Sequence, residues 1–382
     1  MTLLVFMSLL LSLTPASAQT PAVSVIAGAN NSVILRGPNC ARLVENHRAF
    51  CQWRRGLEPE FTLSAAEERK LEASCQVLSA TRAQLSVQRC LPEFARQHHS
   101  KRLFNHGPNC WGTALGLKGH TSRPRFMWSE EMHYWMDSPL CQKLPVGEAP
   151  QAGDIINVYG PEYLDDEERQ KRDEGVQFWQ ALYPGRYQVP TKHQGNYTGF
   201  HRLLHSETYL SRDLTFGKES PNKDDRFKFH PLAEVYGRPR ESEKECQENN
   251  ALSPYLRERS SPPKNIRGSK CAYFTTVHRC QNFKAFFSTS SLSAQEKEVL
   301  ASVEALEALQ EKLFELVVKP SVKLEACEVT LLTSLAEVTM ARARQALAQG
   351  PVNKIHEMLL TREYFAGAGI RKSLQFAGKL PE

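Results

Sequence analysis

Gly107-Pro108-Asn109-Cys110-Trp111-Gly112-Thr113-Ala114-Leu115 is the stretch whose reading decides the fold. Gly and Pro open it, Asn109 suits an N-cap, and the helix-forming pair Ala114-Leu115 follows. The spelling predicts a loop that turns into a helix with Cys110 in its first turn. At that position the positive end of the helix dipole favours a thiolate. Trp111 and Leu115, four apart, can press one helix face into a core. Gly112 lets another backbone come close. These features suit a nucleophilic cysteine. On position alone a buried cysteine that happens to start a helix is the favoured reading, because free cysteine is usually a core residue.

The downstream sequence favours the nucleophile. Gly153-Asp154-Ile155-Ile156-Asn157-Val158-Tyr159 reads as a turn entering a buried strand. His205-Ser206-Glu207-Thr208-Tyr209-Leu210, then Ser211-Arg212-Asp213, then Leu214-Thr215-Phe216-Gly217-Lys218-Glu219 read as a strand, a turn and a second strand, with a histidine at the head. The order of a cysteine on a helix start, Gly-Asp at a strand and a histidine leading another strand resembles the NlpC/P60-type cysteine peptidases. These are papain-like enzymes related to CHAP amidases. The resemblance covers about a third of the chain. It implies an α+β fold whose papain-like core packs a cysteine-bearing helix on an antiparallel sheet, and a hydrolase acting on peptidoglycan amide bonds. The neighbours Asn109 and Trp111 stand where such endopeptidases often carry Asp and Ser, and are candidate substrate-binding residues. Phe104 stands where the family often has a tyrosine.

His205 is the candidate base because it leads the strand-turn-strand segment. His201, four residues earlier, would share its face in a regular strand; it is either a substrate-binding residue at the entrance of the cleft or a structural one. A third group should orient the imidazole. If Ser211-Arg212-Asp213 is a three-residue loop, Leu210 faces Leu214 and His205 falls opposite Glu219, making Cys110, His205 and Glu219 the candidate catalytic set. Ser220, Asn222 and His230 are the alternatives for the third place. No metal or cofactor is implied: there is no His-Glu-x-x-His or CxxC motif, and His98-His99 and His106 read as a polar linker.

Outward from this centre, Met1 to Leu13 is apolar and ends in Pro15-Ala16-Ser17-Ala18. That is the pattern of a secretory signal spanning residues 1–18, with no membrane span left after cleavage. Secreted or periplasmic placement follows. Ten cysteines agree with disulfide formation there. Cys40/Cys51, Cys75/Cys90 and Cys271/Cys280 are close pairs, but connectivity is not readable from spacing. A second Gly-Pro-Asn-Cys, at Gly37 to Cys40, is a helix start of the same kind and makes Cys40 a rival nucleophile, discounted because Ala41-Arg42-Leu43 follows in place of Trp-Gly and Cys51 is a near partner for a disulfide. The net charge of +6 is modest, and no aromatic-basic motif marks a nucleic-acid partner. Asn30-Asn31-Ser32 and Asn196-Tyr197-Thr198 are glycosylation sequons.

Residues 19–104 read as an N-terminal helical region. Ser64 to Glu67 is a capping box, and Leu71, Cys75, Leu78 and Leu85 follow at roughly helical spacing. The catalytic region is expected over 105–240, with a lid-like insertion over 160–200. Ser129 to Met136 reads as a short helix whose aromatic face is either a cleft wall or core. Residues 241–290 read as a linker ending in a strand, Cys271 to Val277, that could return to the sheet. Over 291–382 a helical region is expected. One helix is capped by Ser293 and Glu296 with a stripe of Val299, Val303, Leu306, Leu313 and Val317. A second, from Ser321, has the stripe Val322, Cys327, Leu331, Leu335 and Val338, and a short third helix follows. Peptidoglycan or another amide substrate is the partner expected, and the oligomeric state is open. A catalytically silent wall-binding or scaffold protein, and a thiol acyltransferase of transglutaminase type, are the competing functions.

Overall fold

The computed structural model of the protein describes residues 23–28, 32–145, 148–163, 197–232 and 274–381, with Gln180 and Val235. The signal-like residues 1–18, the lid-like segment between 164 and 196, both sequon asparagines, Cys246 and Cys271 lie outside the described residues. The architecture is mixed helix and antiparallel sheet, an α+β arrangement built on two sheets.

The smaller sheet has the order β1-β2-β4-β3, from β1 (Ser24–Ala27), β2 (Val33–Gly37), β3 (Gln76–Ser79) and β4 (Arg82–Ser86). Helix α1 (Cys40–Leu57) packs on it through Leu43, Phe50 and Trp53. The expectation of a helical region is corrected here. The capping box of Ser64 and Glu67 does open a helix, α2, but α2 covers only Ala65–Ala73. Beyond it the chain forms the β3–β4 hairpin. Ala83, Leu85 and Val87 are buried while Arg82 and Ser86 are exposed. That two-residue period belongs to a half-buried strand, and pairing with β2 overrides the helix-like spacing.

Among the described residues the disulfides are Cys40–Cys75, Cys51–Cys90 and Cys141–Cys280. None joins the sequence-near pairs. Cys40 and Cys51 sit on the same helix, three turns and roughly 16 Å apart at about 1.5 Å per residue, beyond disulfide reach. Three such bonds fit an oxidising compartment. Among the described residues, no helix is long and apolar enough to cross a membrane.

The larger sheet has the order β5-β10-β6-β7-β8-β9, all antiparallel. Its strands are β5 (Cys141–Lys143), β6 (Ile155–Tyr163), β7 (Tyr197–Tyr209), β8 (Leu214–Gly217), β9 (Lys228–Pro231) and β10 (Phe274–Cys280). β10 is the returning strand, inserted between β5 and β6 and tied to β5 by Cys141–Cys280. Asp154, at the mouth of β6, is buried and bound by Arg279 of β10 at 2.9 and 3.2 Å. The Gly-Asp element therefore locks sheet geometry.

Helix α3 (Glu93–His98) precedes the two helices that flank this sheet, α4 (Cys110–Gly116) and α5 (Ser129–Met136). Met132, Tyr134, Trp135 and Met136 of α5 are all buried, so its aromatic face is core. Helix α6 (Phe283–Thr289) leads to three long helices, α7 (Ala294–Val318), α8 (Ala326–Gln349) and α9 (Lys354–Phe376). The α7 stripe is buried as expected. The α8 stripe is corrected by one residue. Leu332, Ala336, Thr339, Ala343 and Leu347 face inward, while Leu331 and Val338 are 69% and 67% exposed. The small Ala336 wins the inward face because α9 comes in at close range: a Cβ on Gly367 would stand 3.0 Å from the Ala336 carbonyl oxygen. The short third helix is in fact the 23-residue α9, buried almost all round from Met358 to Ile370.

The flanks share cores with the larger sheet. One core joins α1 and the smaller sheet to β8 and to Phe314 and Val317 of α7. The other joins α4, α5 and the larger sheet to α8 and α9.

Candidate active site

The loop before α4 is built around Asn109. Its Oδ1 accepts from Gly112 N at 3.1 Å and from Met127 N at 3.1 Å, and its Nδ2 donates to Met127 O at 2.7 Å. All its amide atoms are spent on backbone and it is buried. The substrate-binding role expected of Asn109 is therefore corrected: it caps the helix and clasps the neighbouring strand-like segment. A Cβ on Gly112 would lie 1.6 Å from the carbonyl oxygen of Arg125, which explains why the position admits only hydrogen. Arg125 is itself held by Glu131 at 2.5 and 2.9 Å and packs on Gly369 of α9. Gly107 N donates to Pro221 O at 2.9 Å, fixing the other end of the loop. Cys110 thus sits at the first helical position, free and only 4% exposed. Trp111 packs against the core of α4 and α5, and its buried indole N–H has no hydrogen-bond partner among the described residues.

His205 comes to this sulfur from β7. A bulge separates the pair Val158↔His205 from Tyr159↔Leu203, leaving Leu204 as the extra residue. The bulge re-aims the strand next to the site. It also corrects the pairing of His201 with His205. His201 lies opposite Pro161, three positions from Val158, so the two-residue period that would put both histidines on one face is broken. The side chain of His201 lies outside the described residues.

The imidazole of His205 is close enough to the Cys110 thiol to feel it electrostatically and, through Nε2, lies 2.9 Å from Glu207 Oε1. Burial disfavours its charged form, but the hydrogen bonds and charges of Cys110 and Glu207 outweigh that and raise its pKa to about 10. Glu207 is 1% exposed. Its second oxygen accepts the Thr215 hydroxyl from β8, and His230 Nε2 of β9 stands 3.4 Å from its first. A Cβ on Gly217 would lie 3.1 Å from the Glu207 carboxyl carbon, so that glycine makes the seat for the carboxylate.

Glu219 is corrected as the third group. The three-residue loop and the register are as expected, with Tyr209↔Thr215 paired and Leu210 N bonded to Leu214 O. But β8 ends at Gly217. Glu219 turns outward to Lys228 Nζ at 3.0 Å, with its side chain 55% exposed. The hydrogen bond from Lys228 lowers its pKa. Glu207 takes the place instead, two residues along the histidine's own strand. A period of two puts i and i+2 on one face, and that was the available signal.

The hairpin is steadied from outside by α1. Arg42 and Asn46 bind Asp213 at 2.5 and 2.7 Å, and Ser211 Oγ donates to Asn46 Oδ1 at 2.6 Å. Among the described residues, His47, Cys51 and Cys90 converge with metal-ligand spacing, but the two sulfurs are already joined as a disulfide. His98 and His99 stack on Phe94 and Phe229.

The arrangement brings a free thiol, an imidazole and a buried carboxylate together on an α+β frame. Comparison with family models, with curated proteins and with solved structures finds no match, so function has to be reasoned from the geometry of these three groups.

Proposed function

We propose that this protein is an exported thiol hydrolase acting on amide bonds, with Cys110 as nucleophile, His205 as base and Glu207 as the group that orients the imidazole. The observation that carries it is the His205–Glu207 pair, 2.9 Å apart on one sheet strand, set against the free thiol of Cys110 at a helix start. The imidazole keeps the sulfur ionised, and the thiolate attacks the amide carbonyl. Backbone N–H groups of the first α4 turn stabilise the oxyanion. The imidazolium then protonates the leaving amine, and water releases the acid from the thioester. Helix on antiparallel sheet, in the order cysteine, Gly-Asp strand, histidine strand, supports a papain-like core of NlpC/P60 type. On that resemblance the substrate is peptidoglycan, cut in its stem peptide or at its amide to sugar. The glutamate on the histidine's own strand is particular to this chain's arrangement.

Burial of Cys110 favours a second reading: a catalytically silent wall-binding scaffold that keeps the triad as core. Purified sacculi separate the two. The hydrolase releases peptide fragments, seen by mass spectrometry, and Cys110→Ala releases none. A wild-type protein that releases nothing, with both forms bound equally, establishes the scaffold.

A further inference from the structure

Strand β8 lies between β7 and β9, and Thr215 is paired with Tyr209 on one side and with His230 on the other. With a period of two along each strand, Glu207, Thr215 and His230 share one face of the sheet, with Thr215 in the middle. All three are buried. Two imidazoles stand against one carboxylate oxygen. His205 Nε2 lies 2.9 Å from Glu207 Oε1, and His230 Nε2 lies 3.4 Å from the same atom. The first is a hydrogen bond. The second is too long for one, and His230 Nε2 has no hydrogen-bond partner among the described residues. The Thr215 hydroxyl has a single proton and two oxygens in reach, Glu207 Oε2 and, at 3.5 Å, the carbonyl of His230. The carboxylate takes the proton, because a charged acceptor makes the stronger bond. That bond holds the far oxygen of Glu207, while Gly217 packs against its carboxyl carbon.

We propose that Thr215 is a positioning residue that selects which histidine Glu207 serves: its hydroxyl pins the carboxylate with one oxygen on His205, and without it the carboxylate turns to His230. The catalytic consequence rests on the hydrolase reading of Cys110 and His205; the choice of histidine does not. The titratable groups around the carboxylate and its two rings are Cys110 from α4, Glu219 from the β8–β9 loop and Lys228 from β9. A carboxylate in contact with an imidazole favours its charged form, so the pairing is legible in the two rings separately. Burial lowers the pKa of His230, with Glu207 acting against it from 3.4 Å.

The test is NMR titration of the full chain with isotope-labelled histidine rings, His205 and His230 being assigned by substitution. Thr215→Val keeps the shape and removes the hydroxyl. It is expected to lower the pKa of His205 by about one unit and to raise that of His230, and Thr215→Ser is expected to restore both. A merely structural threonine does not move the two rings in opposite directions. Two values that stay in place, or that move together, overturn the proposal. In amide cleavage Thr215→Val is expected to lower kcat roughly tenfold, the effect of one hydrogen bond to a charged group. Adding His230→Gln is expected to recover part of that loss, because the carboxylate then has one imidazole left to meet; a deeper loss overturns the proposal. If Thr215→Val does not fold, His230→Gln is titrated alone. The pKa of His205 is expected to stay in place, since a pinned carboxylate is not shared, and a rise overturns the proposal. A wild-type protein that cleaves no amide sinks the hydrolase reading, while the titration still decides the role of Thr215.

Discussion

The chain spells Gly-Pro-Asn-Cys twice, at Gly37 to Cys40 and at Gly107 to Cys110. Both copies start a helix in the same way. Asn39 accepts from Arg42 N at 2.9 Å and Asn109 from Gly112 N at 3.1 Å, and each cysteine is the first helical residue. They part in what surrounds them. Cys40 meets the end of α2 and is bonded to Cys75, whereas Cys110 meets β7 and faces His205. Asn39 spends only its cap, while Asn109 also clasps Met127 from both sides. Local spelling sets the cap; tertiary placement decides whether the sulfur is a crosslink or a free thiol beside an imidazole.

The sharpest break between the copies is removal of each sulfur. Cys110→Ala is expected to abolish amide cleavage and leave the thermal transition in place. Replacing Cys40 and Cys75 together by Ala is expected to keep cleavage and lower stability by about 2–4 kcal/mol, measured by urea unfolding. Activity lost with Cys40 and kept without Cys110 would exchange their roles.

Next in size is the carboxylate behind the imidazole, which the Cys40 copy lacks. Glu207→Gln keeps the shape but can no longer hold the imidazolium, so a drop in kcat of roughly 10²–10⁴-fold is expected, by analogy with orienting carboxylates elsewhere. Glu219→Gln, which removes only an exposed partner of Lys228, is expected to change kcat by less than about twofold. The reverse ranking would mean that the pairing of β7 with β8 continues past Gly217 in solution.

This pair also shows where sequence reading ends. Cys110, His205, the strand after Gly153-Asp154 and the three-residue turn at Ser211 to Asp213 were legible because caps, turns and alternation are local. Glu219 was chosen by extending a correct register past the point where the strand stops. The bulge at Leu204 depends on two strands at once, and the choice of Cys75 for Cys40 depends on how the start of α1 meets the chain after α2. On α8, Leu331 and Ala336 compete for the inward face, and only the approach of Gly367 decides it.

Gly112→Ala separates the two helix starts on stability rather than chemistry. The added carbon meets the Arg125 backbone, which cannot retreat while Arg125 is paired with Glu131. A loss of about 3 kcal/mol or more is expected, at the upper end of overpacking, in the same urea experiment. A neutral result would mean that the Arg125 segment gives way.

Protonation supplies a subtler contrast. A histidine whose folded pKa is raised contributes stability that is fully present below its ordinary value of 6.5 and lost as pH rises through about 10. The stability difference between wild type and His205→Ala is therefore expected to shrink over that window, followed by urea unfolding at stepped pH. A difference that grows with pH would contradict the assignment of Cys110 and Glu207 as the partners that hold the proton.

The smallest expected effect is on the other helix. Gly56 sits in the last turn of α1, and a Cβ there meets nothing within 4 Å. Gly56→Ala should therefore gain up to about 0.5 kcal/mol from reduced freedom of the unfolded chain, with cleavage unchanged. The same substitution in two helices with the same opening then has opposite signs, because one glycine serves propensity poorly and the other serves packing. If both substitutions destabilise, the last turn of α1 is not open in solution.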